Sequence, residues 1–137
     1  MALRYTATLR NAQQDAITTA AGATAKINLY SGTIPTNADT AVGAQVLLAT
    51  LTCNATFAPA AAGGVLTLNA ITSGTGTAGA GAGTTCTWFR LTNSAGTVTI
   101  LDGTVAISGA DLNLNNTSIA TNQTVAISSF TITNNNV

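Results

Sequence analysis

The chain has few side chains that could do acid–base or nucleophilic chemistry. Its 137 residues include four Asp but no Glu and no His. General acid–base catalysis near neutral pH normally uses a His or a pair of carboxylates. The Ser and Thr hydroxyls are numerous, but none has a candidate base to activate it. The four aspartates fall in separate turns or segment ends: Asp15, Asp39, Asp102 and Asp111. We therefore expect a protein that is not an enzyme and that holds no cofactor.

Two cysteines and a glycine-rich run are candidates for binding sites. Cys53 and Cys86 lack metal-ligand spacing, and strand-like patterns surround both, so we expect two small buried hydrophobic side chains. A disulfide between them stays open. Residues 74–79 match the letters GxGxxG, but a Thr-rich strand follows them where a nucleotide site needs a helix. We expect the surrounding loop, residues 73–84, to be held by contacts, with a neighbouring chain as one candidate.

The only tryptophan lies two residues from an arginine. Side chains at i and i+2 of a strand share a face, so Trp88 and Arg90 could form a cation–π pair or, with Tyr30, a platform for stacking sugars. The alternative is a core tryptophan whose edge Arg90 covers. We favour the core tryptophan.

Charge is scarce throughout the chain. Charged residues make up 6% of the sequence, against about 25% in ordinary soluble domains, and the formal net charge is zero. Without a basic run we expect no direct nucleic-acid partner. No apolar signal region and no run of eighteen apolar residues occurs, so we expect no membrane segment and no secretory route. A weakly charged surface favours association with other chains.

The elements that would position these residues are mostly strands. Residues 84–103 predict a hairpin, with a turn at 93–96 and a second turn at 102–103. Further strands are expected at 25–31, 46–57, 65–71 and 124–133, with a loop at 32–43. Short strands between turn residues indicate an antiparallel β-sandwich or jelly-roll-like domain at 23–137.

Residues 1–22 form a separate N-terminal arm and helix in this interpretation. Apolar residues at helical spacing predict a short helix over 9–21, with Thr8 as its N-cap and Gly22 after its end. The apolar stripe consists of Leu9, Ala12, Ala16, Ile17 and Ala20. Such a helix must be held by packing against the β domain or against another subunit.

Several stretches together resemble a group of small structural proteins of tailed bacteriophages. They are residues 9–17, 27–32 with Pro35, 88–90, 102–103 and 123–131. Within that group, the resemblance implies a head decoration (cement) protein that clamps major capsid subunits, located in the virion head and assembled in the host cytoplasm. It also implies a homo-oligomer, a dimer or trimer. A tail or neck component, or a carbohydrate-binding β module, stays open as an alternative.

The candidate partner contacts lie mainly in the N-terminal arm and in the loop at 32–43. The arginines would pair with carboxylates of the shell. The set comprises Leu3, Arg4, Tyr5, Leu9, Arg10, Ile34, Pro35 and Arg90.

Overall fold

The computed structural model describes residues 3–136 and confirms a mainly β domain with one α-helix. Met1, Ala2 and Val137, and with them the start of the predicted arm, lie outside the described residues. The helix α1 spans Ala7–Ala21, and a 3₁₀ turn spans Ala78–Ala80. The strands are β1 Lys26–Ser31, β2 Val46–Thr52, β3 Val65–Thr67, β4 Gly74–Thr75, β5 Thr84–Thr85, β6 Trp88–Thr92, β7 Thr99–Ala106, β8 Leu112–Asn113, β9 Ser118–Ile119, β10 Thr124–Val125 and β11 Thr131–Thr133.

A five-stranded sheet in the order β2-β1-β6-β7-β8 is the largest element. The predicted hairpin is its centre: β6 pairs antiparallel with β7, and Gly96 in the connecting turn has a φ of 71°. Every residue of β6 is buried, as the bulk on both of its faces predicted. β8 lies parallel to β7 and forms one edge of the sheet.

The two faces of this sheet differ in character. On the inner face, Ile27, Leu29 and Leu91 are fully buried in one core that also includes side chains from β3, β9 and β10. On the outer face, the Asn28 amide donates to the Thr92 hydroxyl and accepts from the Thr50 hydroxyl, which links three strands. Three two-stranded sheets, β4–β10, β3–β11 and β5–β9, complete a sandwich-like arrangement around the core.

Several predicted strand boundaries were wrong. β2 ends at Thr52, although a strand was expected to continue to residue 57, and residues 54–56 are exposed. β7 continues through 102–103, where a turn was expected, because Gly103 pairs with Phe89 and the phenyl ring fills the space that a Cβ would need. The stretch 124–133 is not one strand: β10 ends at Val125 and β11 begins at Thr131, and two consecutive exposed residues at 128–129 shift the buried side from Ile127 to Phe130.

The glycine-rich segment is held by its own chain. It contributes β4, the 3₁₀ turn and β5 where a loop held by contacts was expected. A Cβ at Gly74 would collide with the carbonyl of Thr50, and one at Gly76 with the carbonyl of Ala120. These glycines therefore permit close backbone packing, and no nucleotide-binding helix follows them.

Candidate functional site

The helix α1 docks on the β domain through polar side chains. Gln14 is 3% exposed, and its amide donates to the carbonyls of Gly64 and Ile132 at 3.1 and 3.0 Å. Asn11 accepts from the Gly64 N–H at 2.7 Å, and Asp15 accepts from the Ala61 N–H at 2.8 Å. These bonds fix the rotation of α1 about its axis, because they all leave one side of the helix.

The opposite side of α1 carries the apolar stripe, and it faces outward. Sequence reasoning expected these side chains to secure the helix; of the predicted stripe, only Ile17 packs against the core. Leu9 is 47% exposed. We call the exposed set the outer stripe: Leu9, Ala12, Ala16 and Ala20. The helix thus shows its apolar side to solvent, because hydrogen bonds to backbone groups of 61–64 and β11 outweighed the thin apolar pattern.

The start of α1 also differs from the prediction. Thr6 is the N-cap, and its hydroxyl accepts from the Leu9 N–H at 3.2 Å. Thr8, the predicted cap, lies within the first turn. Gly22 ends the helix as expected, with a φ of 64°.

Some of the predicted contact residues near the N-terminus are exposed, and others form hydrogen bonds within the chain. Leu3 is 71% exposed, and Arg4 is exposed beside it. The Tyr5 N–H donates to the carbonyl of Asn136, and the Arg10 guanidinium donates to the carbonyls of Gly63 and Asn134. Arg10 therefore helps to hold α1 on the domain. In the loop after β1, Ile34 and Pro35 are half-buried.

Arg90 requires a correction, because it is occupied inside the fold. It is 5% exposed and forms a bidentate ion pair with Asp102, with both N–O distances at 2.7 Å. A further N–H donates to the Thr40 carbonyl of the loop after β1 at 2.9 Å. The hydrogen bond to Asp102 raises the pKa of Arg90 despite burial. Since its charge is compensated within the chain, Arg90 leaves the set of partner contacts.

The aromatic pair on the outer face is also enclosed. Trp88 is fully buried, and the Tyr30 ring stacks on it with centroids 4.5 Å apart. The Arg90 Cζ lies 5.6 Å from the centroid of the Trp88 ring, within cation–π range. A sugar can stack only on a ring with an accessible face, and Trp88 is 0% exposed, so it does not provide the platform considered from sequence. It matches the core tryptophan that we favoured.

Both cysteines are free and buried. Burial raises the pKa of each thiol from an ordinary value near 9 to about 11. The thiols of Cys53 and Cys86 are therefore protonated at neutral pH and poorly nucleophilic.

A groove that sequence reasoning did not find lies between β8 and β11. It consists of two adjoining hollows of about 370 and about 470 Å³ that share Asp111, Asn113, Phe130 and Thr131. We call this the edge groove. Asp111 accepts hydrogen bonds from the Thr104 N–H and hydroxyl at 2.8 Å, which lowers its pKa. Asp102 also lines the groove.

Within residues 3–136, no group of three or more His, Cys, Asp or Glu side chains could hold a metal ion. The α-helix in that range lacks the length and apolarity to cross a bilayer.

Comparison of the chain with protein-family models, with curated proteins and with solved structures finds no match.

Proposed function

We propose that the chain is a non-enzymatic structural protein of a tailed-phage virion that decorates the head by binding between major capsid subunits. The outer stripe of α1 is the observation that carries this proposal. A helix held by hydrogen bonds, with its apolar side in solvent, leaves a preformed surface for another protein. Leu3, which is 71% exposed, adds a further exposed apolar side chain in the arm that precedes the helix.

Attachment to a shell would combine modest individual contacts with their repetition over the lattice. Burying a leucine side chain contributes about 1.5–3 kcal/mol, and the alanines of the outer stripe let a partner backbone approach closely. A single such interface is weak. On a repeating lattice, an oligomer that makes several of these contacts binds firmly because the later contacts are intramolecular. The lack of charge on the outer stripe also avoids the desolvation cost of burying ions at the interface.

Co-sedimentation with expanded shells that lack the chain tests this function. We expect the purified chain to sediment with such shells and the Leu9→Asp variant to lose about tenfold or more in affinity. An aspartate in the first turn of a helix is favourable, so this substitution should not unfold α1. Ala95→Asp, in the exposed turn between β6 and β7, is the matched control and should bind as the wild type does.

A chain that ignores the shells would contradict a head function. Binding that is unaffected by Leu9→Asp would keep the head function but remove the outer stripe as its surface. Sedimentation with isolated tails and not with shells would favour the tail or neck alternative.

A further inference from the structure

The edge groove separates two strands that each have an unpaired side. Within β8, Leu112 pairs with Val105 of β7. Just after β8, the Leu114 N–H donates to the Ala106 carbonyl of β7. Backbone groups alternate in direction along a strand. The N–H and C=O of Asn113 therefore point away from β7 and toward the groove, which Asn113 lines.

The same alternation applies to β11 on the other side. Phe130 accepts from the Leu68 N–H, and the N–H of Asn134 donates to the Gly64 carbonyl, so the even-numbered residues face β3. The N–H and C=O groups of Thr131 and Thr133 consequently face the groove, which both residues line. Backbone groups of Asn113 on one side and of Thr131 and Thr133 on the other thus flank one channel, an arrangement that accepts an added strand.

The floor and the charge of the groove restrict what could fill it. Phe89 and Phe130 line its base, in edge-to-face contact with centroids 5.2 Å apart. Asp111 is exposed at its rim, with a pKa lowered by its bonds to Thr104. No Lys or Arg is among the residues that line either hollow. The groove therefore suits an extended segment with an apolar side chain inward and a cation outward.

The segment before α1 has these properties. Leu3–Thr6 is in neither helix nor sheet, and Leu3 is the most exposed of the large hydrophobic side chains in residues 3–136. In extended backbone, Leu3 and Arg4 point to opposite sides. Arg10 and Arg90 are hydrogen-bonded within the fold, and Lys26 donates to the Thr52 hydroxyl. Arg4, by contrast, has no hydrogen bond or ion pair among the described residues.

We infer that the edge groove receives the Leu3–Arg4 segment of a second copy of this chain as an added β-strand. Leu3 packs over the floor of the groove at Phe130, Arg4 pairs with Asp111, and the backbone bonds to Asn113 on one side and to Thr131 on the other. Donor and acceptor are different surfaces, so the contact is head-to-tail and generates a ring or a chain of copies. This inference names the surface for the homo-oligomer proposed above, but it does not depend on a phage head as the partner.

Sedimentation velocity of the full chain and of paired variants tests the inference. Arg4→Glu should weaken self-association about tenfold or more, whereas Arg4→Lys should largely retain it. Thr131→Pro removes an N–H that faces the groove and leaves the β3 pairing intact, so it should weaken self-association similarly. Ser94→Pro, at the second position of the β6–β7 turn, is the matched proline control and should associate normally. Unchanged Trp88 fluorescence shows that each variant is folded.

Mixing the two defective variants gives the sharpest result. The Arg4→Glu chain keeps an intact groove, and the Thr131→Pro chain keeps an intact arm, so the mixture should form a heterodimer that neither variant forms alone. A monomeric wild type, or association that survives both substitutions, would overturn the inference. The inference would also be overturned if the wild-type chain is a monomer and Thr131→Pro abolishes its binding to shells, because the groove would then bind the shell protein. A Leu9→Asp chain that self-associates but ignores shells would leave this inference standing.

Discussion

Arg90 and Asp102 form the one ion pair found within residues 3–136, and both side chains are 6% exposed. Removing one partner of a buried pair leaves an uncompensated charge, which typically costs about 3–5 kcal/mol. We therefore expect Asp102→Ala to lower the free energy of unfolding by about that amount, measured by urea denaturation with Trp88 fluorescence. The double variant Arg90→Met with Asp102→Leu should lose much less. Equal losses in both variants would mean that packing, and not charge, sets the cost.

The buried thiols give the stability a dependence on alkaline pH. The pKa of Cys53 and Cys86 is about 11 in the fold, above the ordinary value near 9, so the unfolded chain releases these protons first. Stability should therefore be retained below about pH 9 and fall as the pH rises toward 11. The double variant Cys53→Ala with Cys86→Ala should show a smaller loss between about pH 8 and about pH 10.5 in urea titrations. Tyr30, whose pKa burial also raises, is present in both proteins and cancels in the difference. An identical pH slope would contradict thiol burial.

At the scale of the elements, the N-cap of α1 is Thr6 and not the predicted Thr8. Thr6 accepts the Leu9 N–H, whereas Thr8 has no such role. We expect Thr6→Ala to cost about 0.5–2 kcal/mol of stability. Thr8→Ala should be close to neutral, and thermal denaturation of the two variants makes the comparison. A larger loss for Thr8→Ala would restore the cap expected from sequence.

The same helix shows what sequence could and could not predict. Apolar spacing correctly predicted that α1 exists and that Gly22 ends it, because those signals are local. Which side it buries depended on Gln14 finding the carbonyls of Gly64 and Ile132, which are 50 and 118 residues away. No local pattern reports such partners. The apolar stripe therefore does not face the β domain, which was one of the two partners expected for it, and its contact with another subunit stays a prediction.

Among the strands too, some features could be predicted from local sequence and others could not. The strands predicted at 25–31 and around β6 are both found, since each pairs over most of its length with long neighbours. The end of β2 at Thr52 and the interruption of the predicted strand around 128–129 depend on how far the partner strands β1 and β3 extend. These boundaries are therefore set by residues elsewhere in the chain. The edge groove was missed for this reason. β8 and β11 are two and three residues long, and only the assembled fold brings their free edges together.

At the scale of the whole molecule, the few charges are largely used internally. Arg10 and Asp15 hold α1, Arg90 and Asp102 pair beneath the loop after β1, and Asp111 binds Thr104. The outer stripe and Leu3 remain as uncharged apolar surface. A molecule of this kind gains from association through apolar contact and added strands, and it has little charge with which to repel its own copies.

The copy number of the chain in purified particles of the tailed phage proposed to carry it tests the central claim most directly. Quantitative mass spectrometry would compare peptides of the chain with peptides of the major capsid protein. Decoration between capsid subunits predicts a copy number comparable to that of the capsid subunit. A handful of copies per particle, or none, would contradict a role in cementing the head.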